Sequence, residues 1–224
     1  MGKLDIRLKA LLLYIAAVLI VAAFLFIPAG TFGYWQAWLY MTVLFIPVIF
    51  VGLYFLKNDP KFLERRFRTR EKEARQRSIL RAAMLFFIIG FLVPGLDMRF
   101  GWSSVPFEVV VGANLLVLIG YAIVFLAFRE NSYAGRTVQV DKGQKVVSTG
   151  PYSVVRHPMY VGVLLLYNAT PIALGSYWAL PFFLTTIPVI ILRILNEEEV
   201  LRRELPGYKA YCKKTKYRLL PYIW

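Results

Sequence analysis

Long apolar runs alternate with short, strongly cationic segments along the whole chain. Runs of 18 or so consecutive apolar residues are long enough to cross a bilayer as helices, in which every backbone hydrogen bond is made internally. The runs of this kind are Leu8 to Ala29, Tyr34 to Leu56, Ile79 to Leu96, Val105 to Phe128, Pro158 to Leu174 and Tyr177 to Leu195. The pattern therefore predicts an all-α polytopic membrane protein with about six transmembrane helices.

The spacing of these runs adds two expectations. Only Gly175 and Ser176 separate the last two, which predicts a tight antiparallel helical hairpin whose first member is short. The first run is too long for a signal peptide, and no small-residue cleavage site occurs along it before Pro28-Ala29-Gly30. We therefore expect it to stay in the protein as a membrane anchor.

Composition agrees with a membrane location and narrows the chemistry. Mean hydropathy is +0.57 and 58% of the residues are hydrophobic, which is too apolar for a soluble domain of 224 residues. Cys212 and His157 are the only cysteine and histidine. An internal disulfide is therefore impossible, and we expect no metal site built from these residue types.

The cationic side chains predict the topology. Every Lys and Arg except Arg99 lies at the amino terminus (Lys3, Arg7 and Lys9), in Lys57 to Arg81, in Arg129 to Arg156, or from Arg193 onward. With six spans these segments share one side, so the positive-inside rule places both termini in the cytoplasm. The net charge of +14 is then explained by topology and attraction to anionic lipid. No aromatic-interleaved soluble domain accompanies it, so we expect no nucleic-acid partner.

Two of the polar segments have a character of their own. Residues 57–78 predict either an amphipathic helix on the membrane, with Phe62, Leu63 and Phe67 as its apolar contacts, or a solvated connector. Between Arg129 and Tyr152, β-prone residues flank Asp141-Lys142-Gly143, a turn-forming run. This predicts a small hairpin or extended flap over the start of the fifth span.

The stretch from Gly150 to Gly162 concentrates candidate chemistry. Pro158 suits the first position of a helix, which leaves His157 at the helix mouth after a cationic, aromatic rim. Free amides at a helix start favour an anion. The alternative is that Arg156, His157 and Tyr160 are simple anchors at the headgroup level, which for Arg156 alone is the favoured interpretation.

A second constellation lies at the end of the last span. Arg193 is an ionisable residue at the edge of a span, and a glutamate run, Glu197 to Glu199, follows it. Glu197 can pair with Arg193 along the helix, and Glu198 and Glu199 can form a solvated ladder with Arg202 and Arg203. From the residues alone, a functional and a structural role are about equally good readings for each glutamate.

Taken together, these motifs resemble a family. Gly150-Pro151-Tyr152, Arg156-His157-Pro158-x-Tyr160-x-Gly162 and Glu197-Glu198-x-x-Leu201, followed by Tyr208-x-x-Tyr211, are similar to the isoprenylcysteine carboxyl methyltransferases. The related phospholipid N-methyltransferases share the pattern. The resemblance runs from about Gln139 to the carboxyl terminus. The first four predicted helices carry no matching motif.

The resemblance implies a membrane enzyme that uses S-adenosylmethionine and releases S-adenosylhomocysteine. It divides the chain into residues 1–128, four helices with the basic connector, and 129–224, the methyltransferase region with a cytoplasmic cofactor pocket. By position it implies that Arg193 faces the substrate and that Glu198 is catalytic and also contacts the cofactor, which assigns Glu199 to the ladder. The remaining implied cofactor-binding residues are Gln144, Lys145, Val146, Val147, Tyr152, His157, Pro158, Met159 and Tyr160.

Methyl transfer is an in-line displacement, so the implied chemistry requires alignment and exclusion of water but no metal. A lipidic or prenylated substrate is expected, with carboxyl O-methylation of an isoprenylcysteine-like group as the first choice and a phospholipid amine as an alternative. Two other classes remain open. Tyr217-Arg218-Leu219-Leu220-Pro221 is similar to the ending of NADPH-dependent membrane sterol reductases, and a scaffold without cofactor would use the same charged residues as anchors.

Overall fold

The computed structural model describes residues 5–67 and 74–224, and within them the chain is helical with no β-strand. This confirms the all-α prediction. The helices are α1 (Ile6–Ala29), α2 (Trp35–Asn58), α3 (Pro60–Arg66), α4 (Ala74–Phe100), α5 (Phe107–Glu130), α6 (Pro158–Ala173), α7 (Leu180–Leu184), α8 (Thr186–Glu204) and α9 (Tyr208–Lys214). A 3-10 turn, Gly150–Ser153, precedes α6.

Several helices have the length and the apolar surface of membrane spans. Among the described residues, four helical segments are long and apolar enough to cross a bilayer: α1, α2, α5 and Leu180–Glu204, which joins α7 to α8. Their exposed side chains are largely aliphatic and aromatic, as a lipid-facing surface requires. Helix α6 is equally apolar but has only 16 residues. The chain is thus an integral membrane protein.

Close backbone contact joins α5 and α6. A Cβ atom added to Gly162 would lie 2.5 Å from the carbonyl oxygen of Gly120, and one added to Gly120 would lie 2.7 Å from that of Gly162. Helices α1 and α4 meet in the same way, since a Cβ on Gly95 would lie 2.5 Å from the carbonyl oxygen of Leu25. Small residues let helices approach this closely where no hydrophobic effect drives association.

The predicted helical hairpin is present. Helix α6 ends at Ala173, and Gly175 turns the chain with a φ of +74°, a conformation that glycine adopts without strain. The Asn168 amide donates to the hydroxyl of Thr186 at 3.4 Å, and the Tyr160 hydroxyl, at the other end of α6, donates to Glu197 at 2.6 Å, so the returning chain runs antiparallel to α6. The turn is tied to the rest of the bundle, because the Tyr34 hydroxyl donates to the carbonyl of Leu174.

For each of two polar segments, one of the predicted alternatives is wrong. No hairpin forms between α5 and α6: the backbone hydrogen bonds within the loop close local turns, such as those from the Ala134 amide to the Asn131 carbonyl, 3.1 Å, and from the Gln144 amide to the Asp141 carbonyl, 3.0 Å, without a strand ladder. The loop therefore has the extended form of the flap that was the alternative prediction. In the connector 57–78 the helix α3 is only seven residues long, and residues 68–73 lie outside the described part. Phe62 and Leu63 are buried against Phe55 and Phe128, so they contact protein.

Candidate functional site

The start of α6 is held in place by the carboxyl-terminal segment. His157 precedes Pro158, the first residue of α6, and is only 5% exposed. The amides of Arg156 and His157 donate to the carbonyls of Tyr217 and Arg218, at 2.9 and 3.0 Å. These paired backbone bonds fix the helix mouth against the end of the chain, because both amides lie before the first turn of α6, where the helix itself offers no acceptor.

Glu198 joins this mouth to the end of α8. Its side chain is 3% exposed, and its Oε1 accepts from Arg156 Nε at 2.7 Å and lies 3.2 Å from His157 Nε2. Its Oε2 accepts from Arg202 Nη2 at 3.1 Å and from Arg218 Nε at 3.2 Å. A carboxylate with such partners is strongly held. The two motifs from either end of the hairpin thus meet in space, as expected.

A partly open cavity lies beside this junction, with about 90 Å³ of enclosed space. We call residues 131–147, which connect α5 to the 3-10 turn and form one wall, the roof loop. The other walls come from the 3-10 turn and from α6, α8 and α9. The lining residues are Asn131, Tyr133, Ala134, Gly135, Thr137, Val138, Gln139, Gln144, Lys145, Val146, Val147, Tyr152, Arg156, His157, Met159, Tyr160, Arg193, Glu197, Leu201, Leu205, Tyr208 and Tyr211.

Most of the residues singled out from the sequence line this cavity. They are Gln144, Lys145, Val146, Val147, Tyr152, His157, Met159, Tyr160 and Arg193. Pro158 and Glu198 are not among the lining residues. Pro158 begins α6 behind the wall, and Glu198 is turned toward the Arg156 and His157 side chains.

Of the carboxylates that the structure describes, Glu197 is the one that lines the cavity, and the sequence analysis did not assign it to the site. The Tyr160 hydroxyl donates to Glu197 Oε2 at 2.6 Å and accepts from Arg193 Nε at 2.7 Å. Arg193 Nη2 also donates to the carbonyl of Arg136 in the roof loop, 2.6 Å away. The spacing of Arg193 and Glu197 placed them on one helix face, but nothing in the sequence indicated that a tyrosine from α6 would lie between them.

The opposite side of the cavity is aromatic. Tyr211 donates its hydroxyl to the carbonyl of Tyr152 at 2.7 Å, and burial raises the pKa of Tyr211 to about 12. Burial also raises the pKa of Tyr208, so both phenols stay neutral at physiological pH. The Tyr208 hydroxyl is buried and has no hydrogen-bond partner within the described part of the chain. A buried hydroxyl without a partner is costly, which makes Tyr208 a candidate ligand contact.

Comparison with known families places the site within a methyltransferase-like segment. A family model described as phospholipid methyltransferase matches residues 107–206. The matched segment runs from the start of α5 past the end of α8 and contains every cavity-lining residue except Tyr208 and Tyr211. This supports a relation to the membrane methyltransferases.

Individual relatives carry other names. Over 124 residues the chain is 31% identical to a Delta(14)-sterol reductase TM7SF2 of Mus musculus, covering 49% of this chain and 30% of that protein. It is 28% identical to a "Probable 7-dehydrocholesterol reductase" of Acanthamoeba polyphaga mimivirus, covering 48% and 28%. It is 31% identical over 105 residues to a nickel-cobalt-cadmium resistance protein NccN of Alcaligenes xylosoxydans xylosoxydans, covering 45% and 47%. The chain thus spans less than half the length of each of these relatives.

Proposed function

We propose that the protein is a membrane methyltransferase that uses S-adenosylmethionine and acts on a lipidic or prenylated substrate. The observation that carries this proposal is that the segment matched by the phospholipid methyltransferase family supplies nearly the whole cavity wall. In this proposal residues 129–224 form the catalytic region. The chain crosses the membrane six times, with the cavity and both termini on the cytoplasmic side, in accord with the distribution of its cations.

The character of the cavity fits such a methyl donor. Its aromatic side includes the Tyr208 hydroxyl, which has no hydrogen-bond partner among residues 5–67 and 74–224, and suits a purine and its ribose. Glu197 suits a cationic group. The enclosed space of about 90 Å³ is smaller than the roughly 300–1,000 Å³ of most small-molecule sites. A nucleoside-sized ligand must therefore extend through the open side of the cavity, with the roof loop closed over the remainder.

The proposed cofactor-binding residues are those that the resemblance to the isoprenylcysteine carboxyl methyltransferases implies at matching positions. They are Gln144, Lys145, Val146, Val147, Tyr152, His157, Pro158, Met159, Tyr160 and Glu198. For Pro158 and Glu198 the contacts favour an indirect role: Pro158 sets the start of α6, and Glu198 orients Arg156 and His157. Glu197 is then the glutamate whose carboxylate is in position to contact a bound ligand.

S-adenosylmethionine supplies a methyl group on a positively charged sulfur, so the protein's task is to align the acceptor and exclude water. Arg193, held by Tyr160 and the roof loop, can orient an anionic part of the acceptor, whether carboxylate or phosphate. A carboxylate acceptor is already ionised and needs no base. An amine acceptor must lose a proton, which Glu197 is placed to take.

We propose carboxyl O-methylation of an isoprenylcysteine-like group as the first reaction to test and N-methylation of a phospholipid amine as the second. Membranes containing the protein would be supplied with radiolabelled S-adenosylmethionine and either substrate. Base-labile label in the first product indicates a methyl ester, whereas base-stable label in the lipid indicates an amine acceptor. Label in neither product would contradict both acceptor assignments.

A second candidate function is a sterol or lipid reductase that uses NADPH. It is favoured by the names of two of the relatives, although the chain spans less than a third of either protein. The two candidates differ in cofactor, so a direct comparison of ligands separates them.

The test is a thermal-shift measurement on the purified protein in detergent. A ligand bound only by the folded state at 100 times its Kd stabilises that state by about 2.7 kcal/mol. We expect S-adenosylhomocysteine to raise the unfolding temperature and NADPH to leave it unchanged. His157→Ala should weaken the effect of S-adenosylhomocysteine, and Glu199→Gln, on the exposed side of α8, should not. Stabilisation by NADPH alone would reject the methyltransferase proposal.

A further inference from the structure

Helix α3, which lies outside the segment matched by the methyltransferase family, contacts the roof loop through Arg65. Arg65 Nε donates to Asp141 Oδ2 at 3.1 Å, and its Nη1 donates to the carbonyl of Ser132 at 3.0 Å. Its guanidinium also lies over the Tyr133 ring, 4.8 Å from the centroid. A single arginine therefore holds both the beginning and the turn of the loop.

Arg66 contacts the roof loop near its beginning, at Gly135. Its Nη1 donates to the carbonyl of Gly135 at 3.1 Å, and its guanidinium packs over Phe128, 4.7 Å from the ring centroid. Arg193, from α8, donates to the next carbonyl, that of Arg136. Consecutive carbonyls are thus held by guanidinium groups from the amino-terminal and carboxyl-terminal halves of the chain.

Helix α3 is a firm support for these contacts. Asp59 caps it by accepting from the Phe62 amide at 3.1 Å, and the other oxygen of Asp59 accepts from the Ser132 hydroxyl. Phe62 is 1% exposed and lies against Phe55 of α2 and Phe128 of α5, with ring centroids at 4.2 and 5.0 Å. A helix anchored in this way cannot follow the loop outward, so the arginine contacts must break for the loop to move.

We propose that Arg65 and Arg66 are positioning residues that hold the roof loop closed over the cavity, so that the amino-terminal half controls ligand access and affinity. The roof loop has no strand ladder or helix of its own, and its position is set by long-range side-chain contacts. Loops secured by few hydrogen bonds open locally at low cost. The identity of the ligand rests on the proposed function, whereas the closing of the loop does not.

Hydrogen–deuterium exchange in detergent tests the closing of the loop without any ligand. The variants are Arg65→Gln, Arg66→Gln and the double variant, with Lys61→Gln as the matched control, because Lys61 is exposed on the same helix. Loss of one charged hydrogen-bonding group should speed exchange of peptides from residues 131–147 about tenfold. Peptides from α5 and α6 should be unchanged, which separates loop opening from general unfolding.

Binding of S-adenosylhomocysteine by calorimetry then tests the functional consequence. If only the closed form binds, the apparent Kd rises in inverse proportion to the closed fraction. We expect the double variant to bind at least about fivefold more weakly, Lys61→Gln to bind normally, and Arg65→Lys, which keeps the charge, to be intermediate.

The outcomes are distinct. Unchanged exchange of the roof loop in the double variant would overturn the proposal whatever ligand the protein uses. Faster exchange of the roof loop with unchanged affinity for S-adenosylhomocysteine would overturn the inference that the amino-terminal half controls ligand binding. If the wild-type protein binds no S-adenosylhomocysteine, the proposed function fails, and the exchange data alone still decide whether the arginines close the loop.

Discussion

Replacing Glu198 by glutamine should destabilise the fold far more than the same change at either neighbouring glutamate. Glu198 Oε1 and Oε2 are both contacted by cationic groups, and its side chain is 3% exposed. A glutamine keeps one acceptor oxygen and presents an NH₂ group, itself a donor, to the donors of Arg156 or Arg218. At least one buried cation is then left without its counter-charge.

The magnitude follows from burial. Arg156 is 6% exposed, and breaking a buried ion pair by removing one partner costs about 3 to 5 kcal/mol. The contact with Arg202, whose side chain is 46% exposed, adds little because solvent screens it. Glu197 is half-buried and keeps an acceptor for Tyr160 after substitution, so Glu197→Gln should cost about 1 kcal/mol. The exposed Glu199→Gln should change stability by less than about 0.5 kcal/mol.

The assay is denaturant unfolding in mixed micelles, followed by the fluorescence of the five tryptophans. The three variants make the same chemical change at successive positions, so they control for one another. A Glu198→Gln protein as stable as Glu199→Gln would refute the inference that this carboxylate holds α6, α8 and the chain end together. Replacing both Arg156 and Glu198, as Arg156→Met with Glu198→Leu, should be less damaging than Glu198→Gln, because it removes the fully buried cation together with its carboxylate, whereas the cations that remain, Arg202 and Arg218, are partly exposed to solvent.

Two further predictions concern packing and ligand contact. Gly162→Ala should lower the free energy of unfolding by about 1 to 3 kcal/mol, because its Cβ would meet the Gly120 carbonyl oxygen at 2.5 Å. The control is Gly112→Ala in α5, which should be neutral or stabilising because the added Cβ has no neighbour within 4 Å. Equal effects of the two substitutions in denaturant unfolding would contradict the close α5–α6 contact. Tyr208→Phe should leave the ligand-free protein as stable as the wild type or about 1 kcal/mol more stable, since the lost hydroxyl has no partner in the described residues. The same substitution should weaken binding of S-adenosylhomocysteine about tenfold, as measured by calorimetry. Unchanged affinity would exclude this hydroxyl from the ligand contacts.

Local patterns determined the helices and where they begin. Apolar runs of spanning length must become helices in a membrane, since only helices or closed barrels satisfy the backbone there. Pro158 starts α6 as predicted, and Gly175 makes the turn that reverses the chain. The family resemblance implied that His157 and Glu198 border one pocket, and the two side chains do meet, because a short hairpin brings its two open ends together.

The roof loop shows what local patterns miss. Its β-prone residues predicted a small hairpin or an extended flap, and the loop is extended without a strand ladder. The loop is held by Arg65 and Arg66, which are separated in sequence from their partners Asp141, Ser132 and Gly135 by the whole of α4 and α5. Such contacts depend on how α4 and α5 pack, and that packing cannot be deduced from the secondary-structure propensity of the residues or from the periodicity of apolar positions.

Tertiary structure also decided which residue of the run Glu197 to Glu199 is buried, which lines the cavity and which is exposed. Adjacent residues on a helix point about 100° apart, so the rotation of α8 about its axis determines which glutamate faces which neighbour. That rotation is set by Ile190 and Ile194, which pack against Tyr160 and share a helix face with Glu198. Because nearly every residue of this run before Arg193 is apolar, the sequence alone specified that α8 is a helix but not which of its sides is buried.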